Sequence, residues 1–275
     1  MLKNFIRVLG MVAVAAPLFA IPASADTIDD IRARGTLRIP AIVNEAPYFN
    51  KDPRTNEWTG LVIDLASDIA KVLDVKLEIV ESTWGNSILD VQSGKVDMAF
   101  AATATPERSL AVSFSDPTYY NSFVIISADE KVSGKSWEEL NSPDYTFAVD
   151  IGSSQDLITY KFLPNANILR FQTRDEAIVA ATTGKADGLV NTLFNGLVMS
   201  KRTPTLGRVL VPTPTLSTPS SIALNYETDE RWKTFVSTWA NYNRRIGNIQ
   251  TMFMENLAPF GIVASDLPAG YSFSD

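Results

Sequence analysis

Twice in this chain a helix-like run ends in Gly-Lys-x-Asp and passes directly into an apolar, strand-like run. The first copy is "SILDVQSGKVDMAF", with the motif at 94–97, and the second is "DEAIVAATTGKADGLV", with it at 184–187. A glycine that stops a helix just before a strand is the return leg of a β-α-β unit, and such units require a parallel sheet covered by helices. The flanking sequence supports this twice over. In the first half, "TLRIPAIV" alternates as a strand and Leu61, Leu65, Ile69, Val72 and Leu73 share one helical face. Lys76 to Val80 and Val96 to Phe100 supply two more strands. In the second half, strands are predicted at 122–128, 145–152, 166–172 and 186–190, with helices between them. A strand at 220–226 and a long helical tail follow, with Trp232, Phe235, Val236, Trp239 and Tyr242 on one side as expected core. The pattern predicts an α/β protein of two lobes, 26–124 plus 222–275 and 125–221, joined by two crossovers.

Residues 1–25 are set apart from that count. Lys3 and Arg7 precede an apolar stretch from Val8 to Phe19, and Ala23-Ser24-Ala25 closes it with small residues. This is the pattern of a cleaved secretory signal peptide, too short for a membrane span. With no cysteine after the apolar stretch, no lipid anchor is expected, and the mature chain is expected to start near Asp26 in the periplasm of a Gram-negative cell. Its loss leaves 22 basic against 31 acidic residues, a net charge of −9. No basic stripe or basic amphipathic helix is present, so neither nucleic acid nor a membrane surface is an expected partner.

The chain contains no histidine and no cysteine. Ser-His-Asp and Cys-His nucleophilic machinery are therefore impossible, as are the usual zinc, haem and iron–sulfur sites. No oxygen-rich calcium loop is found either. No metal or cofactor is expected.

Open α/β sheets bind ligands at the carboxyl ends of their strands and on helix N-termini. In the first lobe the strand ending at Phe100 runs into "AATATPER", where Thr105 suits an N-cap and Pro106 a first helical position. Ala101, Ala102 and Ala104 leave amides accessible, Thr103 adds a hydroxyl, and Arg108 can swing back toward the strand end. A guanidinium fork beside free amides is a carboxylate receptor. In the second lobe, "DIGSSQDL" places Gly152, Ser153 and Ser154 at a helix start. One anion could be clamped between the two ends.

These residues resemble the bacterial extracellular solute-binding proteins of family 3, the polar amino-acid-binding components of ABC importers. The resemblance rests on "SGKVD", on "TPER" and on "FSDPTYY", and it covers essentially the whole mature chain. It implies a type II periplasmic-binding-protein-like fold, a venus flytrap with a two-strand hinge. A monomer that closes on ligand and then docks on a membrane permease is expected. Carried over by position, Arg108 holds the ligand carboxylate with Thr103 and Ala101 assisting, and Trp84 covers the ligand. Ser153 and Ser154 complete the carboxylate site. Glu45 falls where many members place an aromatic, and Asp150 where members vary to read the ligand side chain.

The chain departs from the family in two places. It is one residue shorter between Asp97 and Arg108. The aspartate expected five positions after the second motif, which binds the ligand ammonium, is replaced by Thr192, with Asn191 before it. Either another acid, Glu45 or Asp150, supplies the charge, or the ligand lacks an α-ammonium. The acidic candidates favour a ligand carrying positive charge. The same fold also carries cyclohexadienyl dehydratase-like activity, for which Glu45 or Asp150 would be the acid, so an enzymatic reading stands beside the binding one.

Overall fold

The computed structural model describes residues 27–268 and 271–273, so residues 1–25, expected to be a signal peptide, lie outside the described residues. Two α/β lobes meet across a cleft. In the first, the strands Thr36–Ile42 and Lys76–Ser82 pair in parallel, with Leu61–Leu73 as the crossover helix. That helix buries Leu61, Leu65, Ile69 and Leu73 on the sheet, while Val72 at its edge stays exposed.

The larger sheet runs without interruption from one lobe into the other. Its order is Met98–Thr103, Ser217–Leu224, Tyr119–Ser127, Gly188–Thr192, Thr146–Asp150 and Asn167–Phe171. The two strands that cross between lobes, Tyr119–Ser127 and Ser217–Leu224, pair antiparallel from Ser217 opposite Ser122 to Ser220 opposite Tyr119. In the second lobe the strands at 146–150, 167–171 and 188–192 are parallel neighbours, as the repeated pattern requires.

The two motifs build the same joint in each lobe. Gly94 and Gly184 take left-handed φ values of 70° and 74°, which ends each helix without a Cβ clash. Asp97 then donates its amide to the Arg38 carbonyl and accepts the Arg38 amide on its carboxylate at 2.7 Å. Asp187 does the same with Thr146, its carboxylate accepting the Thr146 amide at 2.7 Å. Asp187 thereby extends the pairing of its strand with Thr146–Asp150 by one side-chain bond, whereas Asp97 ties Met98–Thr103 to Thr36–Ile42, a strand of a separate sheet. Ion pairs to Arg34 and Arg38, and to Lys131, hold the two carboxylates.

The tail packs as expected but not as one helix. Gly247, at φ 80°, breaks it into Arg231–Arg245 and Asn248–Leu257. Trp232, Val236 and Trp239 are buried in the first-lobe core, whereas Tyr242, expected on that face, is 64% exposed. Its position has rotated past the apolar stripe by the last turn of the helix. The "TPER" segment also differs from expectation. Only a single 3-10 turn, Arg108–Leu110, forms there, with Thr105 Oγ1 accepting the Arg108 amide. The buried Val112 and the short strand Ser113–Phe114 draw the chain back to the crossover sheet before a longer helix can grow.

The lobes also share a core. Phe194, on the second-lobe helix Leu193–Arg202, packs among first-lobe aromatics, with its ring 4.3 Å from Phe253 and 5.6 Å from Phe273 between centroids.

Candidate ligand-binding site

The cleft is lined from both lobes at the ends of strands and the starts of helices. From the first lobe come Tyr48, Trp84, Ser87, Ile88, Ala101, Ala102, Thr103 and Arg108, and from the crossover strand comes Asn121. The second lobe contributes Ser153, Ser154, Gln155, Thr192 and Asn195.

The local backbone at Ala101 explains how a strand end becomes a receptor. Opposite Ile222 the strand Met98–Thr103 carries an extra residue, since Ser221 faces Ala102 while Ala223 faces Ala99. Ala101 sits in this bulge at φ 57°, a conformation that costs a non-glycine residue about 1 kcal/mol. The bulge turns Ala101, Ala102 and Thr103 all onto the cleft, where a regular strand would alternate.

Arg108 closes the first-lobe side. Its Nη1 donates to the Thr103 carbonyl at 3.2 Å, and its Nη2 crosses the cleft to the Gly152 carbonyl at 3.0 Å. Burial lowers its pKa from the ordinary arginine value, and among the described residues no carboxylate pairs with it. A guanidinium has five N–H donors, so most of its capacity remains for an incoming anion. Opposite, Ser153 caps the helix Ser154–Phe162 by accepting the Asp156 amide at 3.2 Å, and it donates to the Asp150 carbonyl. The start of that helix therefore faces Arg108 across the cleft.

Seven of the sequence-predicted residues line this cleft: Trp84, Ala101, Thr103, Arg108, Ser153, Ser154 and Thr192. Glu45, Asp150 and Asn191 are buried behind its wall, in one polar network. Its hub is Arg174, 6% exposed, which the sequence reading did not single out. Arg174 donates from Nε and Nη2 to the two oxygens of Asp150 at 2.8 and 2.9 Å. Its Nη1 reaches Asn191 Oδ1 at 3.2 Å and Glu45 Oε2 at 3.5 Å. Burial opposes the Arg174 charge, but Glu45 and Asp150 outweigh it and raise its pKa. Burial likewise pushes the Glu45 carboxyl up to about 7, with Arg174 pulling against it. Both acids proposed as charge partners for a ligand are thus committed to the protein's own guanidinium. Arg174 stood immediately before the helix predicted from Asp175 to Thr183, where a surface arginine is the ordinary expectation. Only its tertiary position beside two carboxylates distinguishes it.

Asn195 separates the network from the cleft. Its Nδ2 donates to Glu45 Oε2 and to the Ala46 carbonyl, both at 3.1 Å, and its Oδ1 accepts from Thr192 Oγ1 at 3.0 Å. Gln155 continues the wall, donating to Asn191 Oδ1 at 2.8 Å. Because Glu45 and Ala46 belong to one lobe and Arg174 and Asn195 to the other, the network also fastens the lobes together. The arrangement is closed.

A two-lobed α/β fold with a cationic strand-end receptor facing a helix start, between crossover strands, defines a solute-binding protein. Residues 38–210 match the bacterial extracellular solute-binding proteins, family 3, and the chain belongs to that family. It is similar to the glutamine-binding protein of Geobacillus stearothermophilus, 29% identical over 66% of this chain and 70% of that one. It is also similar to cyclohexadienyl dehydratase of Pseudomonas aeruginosa, 23% identical over 89% of this chain and 91% of that one. Among solved structures, an ancestral amino acid-binding protein, a precursor of cyclohexadienyl dehydratase, superposes with a TM-score of 0.74. It is 31% identical, over 84% of this chain and 99% of that one.

Proposed function

We propose that this chain is the solute-binding component of an ABC importer. It is exported to the periplasm through residues 1–25 and acts as a monomer. It captures a small carboxylate-bearing solute, an amino acid or a derivative of one, by closing its lobes, and delivers it to a membrane permease. The observation that carries this reading is Arg108: a half-buried guanidinium on the cleft, bonded among the described residues only to carbonyls, facing the start of the Ser154 helix. A carboxylate placed there pairs with the guanidinium and meets the helix-start amides at once. Membership of a solute-binding family and likeness to a glutamine-binding protein support the same reading.

Likeness to a dehydratase raises a second reading, acid-assisted elimination in the same cleft. The lining residues favour binding, because none of them is an acid, and Asp150 is held by both ends of Arg174. Chain unfolded and refolded free of ligand is screened against small carboxylates by thermal shift. At least one should raise the melting temperature, and Arg108→Ala should weaken its binding by about 10- to 100-fold, the loss of one charge-assisted contact. If no carboxylate stabilises the fold, the capture reading fails. Turnover of prephenate or arogenate would replace it with the enzymatic one.

A further inference from the structure

The charge of the cleft limits what the carboxylate can be attached to. Of its lining side chains only Arg108 carries a formal charge; the rest are aromatic, aliphatic, hydroxyl or amide. A monocarboxylate neutralises Arg108 one for one. A zwitterionic amino acid would bring an ammonium as well, and no lining carboxylate would receive it, so its desolvation would go uncompensated. The nearest acids do not change this. Asp150 has both oxygens on Arg174, and Glu45 Oε2 accepts from both Arg174 and Asn195. The protein has installed its own guanidinium where a ligand's positive charge would otherwise be matched.

What the cleft does offer is neutral acceptors. Asn121 lines it and is buried. Its Nδ2 donates to the Tyr48 hydroxyl at 3.0 Å, while its Oδ1 has no hydrogen-bond partner among the described residues. Thr192 Oγ1 spends its proton on Asn195 and keeps its lone pairs for the cleft. A neutral acceptor left without a partner in a buried site calls for a neutral donor.

Resting on the capture reading above, we infer that the solute is a hydroxycarboxylate without an ammonium group. Its carboxylate pairs with Arg108, and its hydroxyl donates to Asn121 Oδ1 or Thr192 Oγ1 where an amino acid would present its charged nitrogen.

The experiment is calorimetry on refolded chain with pairs that share a side chain and differ at one group: lactate and alanine, malate and aspartate, 3-phenyllactate and phenylalanine, each as both enantiomers. Wild-type chain should bind at least one hydroxy acid ten times or more tightly than its amino partner. Thr192→Asp places a carboxylate on the cleft at a helix N-cap, where aspartate is well tolerated. In that variant the hydroxy-to-amino preference should fall at least tenfold. Tighter binding of the amino partner in every pair by the wild type overturns the inference and leaves carboxylate capture standing. Binding of neither series overturns both. The wild-type comparison decides even if Thr192→Asp fails to fold.

Discussion

Asp150 accepts two bonds from the Arg174 guanidinium, 2.8 Å from Nε and 2.9 Å from Nη2, and both residues are buried. A carboxylate at the end of a cleft-facing strand would ordinarily be taken for a ligand contact. Here its partner is internal, and the site's remaining positive charge is Arg108. The pair is costly to bury and more costly to break.

Arg174→Met should therefore destabilise the chain by about 3–5 kcal/mol, because two buried acids lose their counter-charge together. Urea unfolding measures it. Adding Asp150→Leu to that variant should recover more than half of the loss. A single-variant loss below about 1 kcal/mol would show that water reaches the site and the network is not sealed.

Glu45 should make the fold pH-dependent. Burial lifts its carboxyl to about 7, with Asp150 and Asp175 pushing the same way and Arg174 opposing. Between the ordinary glutamate value and about 7 the closed, folded chain holds a proton that the unfolded chain has released. Its stability contribution therefore rises as pH falls through 7 and levels off near the ordinary value. Relative to Glu45→Gln, wild type should gain on the order of 2 kcal/mol between pH 8 and pH 5. A difference that does not change with pH would mean that Glu45 does not titrate in this range.

Gly85 and Gly152 approach across the cleft: a Cβ built on Gly152 would lie 3.4 Å from Gly85 Cα. Gly85→Phe puts a ring into that gap while leaving each lobe's core untouched. The variant should hold the lobes apart, lowering affinity for any carboxylate that stabilises wild type by tenfold or more. The ligand-free chain should lose stability too, because the wedge parts the Glu45–Arg174 and Glu45–Asn195 contacts that fasten the lobes. Small-angle scattering should show a larger radius of gyration than that of ligand-saturated wild type, and an unchanged radius would count against the wedge.

Ala101→Gly relieves the left-handed backbone of the bulge, at φ 57°. It should leave stability unchanged or raise it by up to about 1 kcal/mol, with an unaltered urea slope. Ala101→Val should cost more than that gain, since a branched side chain tolerates this conformation poorly. Equal midpoints for the two variants would mean that the bulge relaxes.

The lobes were legible in the sequence because β-α-β units announce themselves through periodicity and glycine stops, and both Gly94 and Gly184 turn where expected. Arg108 and Ser153 were legible for a related reason: strand ends and helix starts deliver side chains to predictable places. Asp150 and Glu45 were not. Their surroundings depend on Arg174, which lies 24 and 129 positions away along the chain, and no local pattern encodes that meeting. The neutral wall made by Gln155 and Asn195 escaped notice likewise, since amides at helix starts read as ordinary surface residues.

The crossover strands set how the cleft can move. Tyr119–Ser127 and Ser217–Leu224 contain no glycine, are bonded to each other, and belong to one sheet shared by both lobes. Any opening of the cleft must therefore twist two bonded strands together; no single loose connection is available to bend.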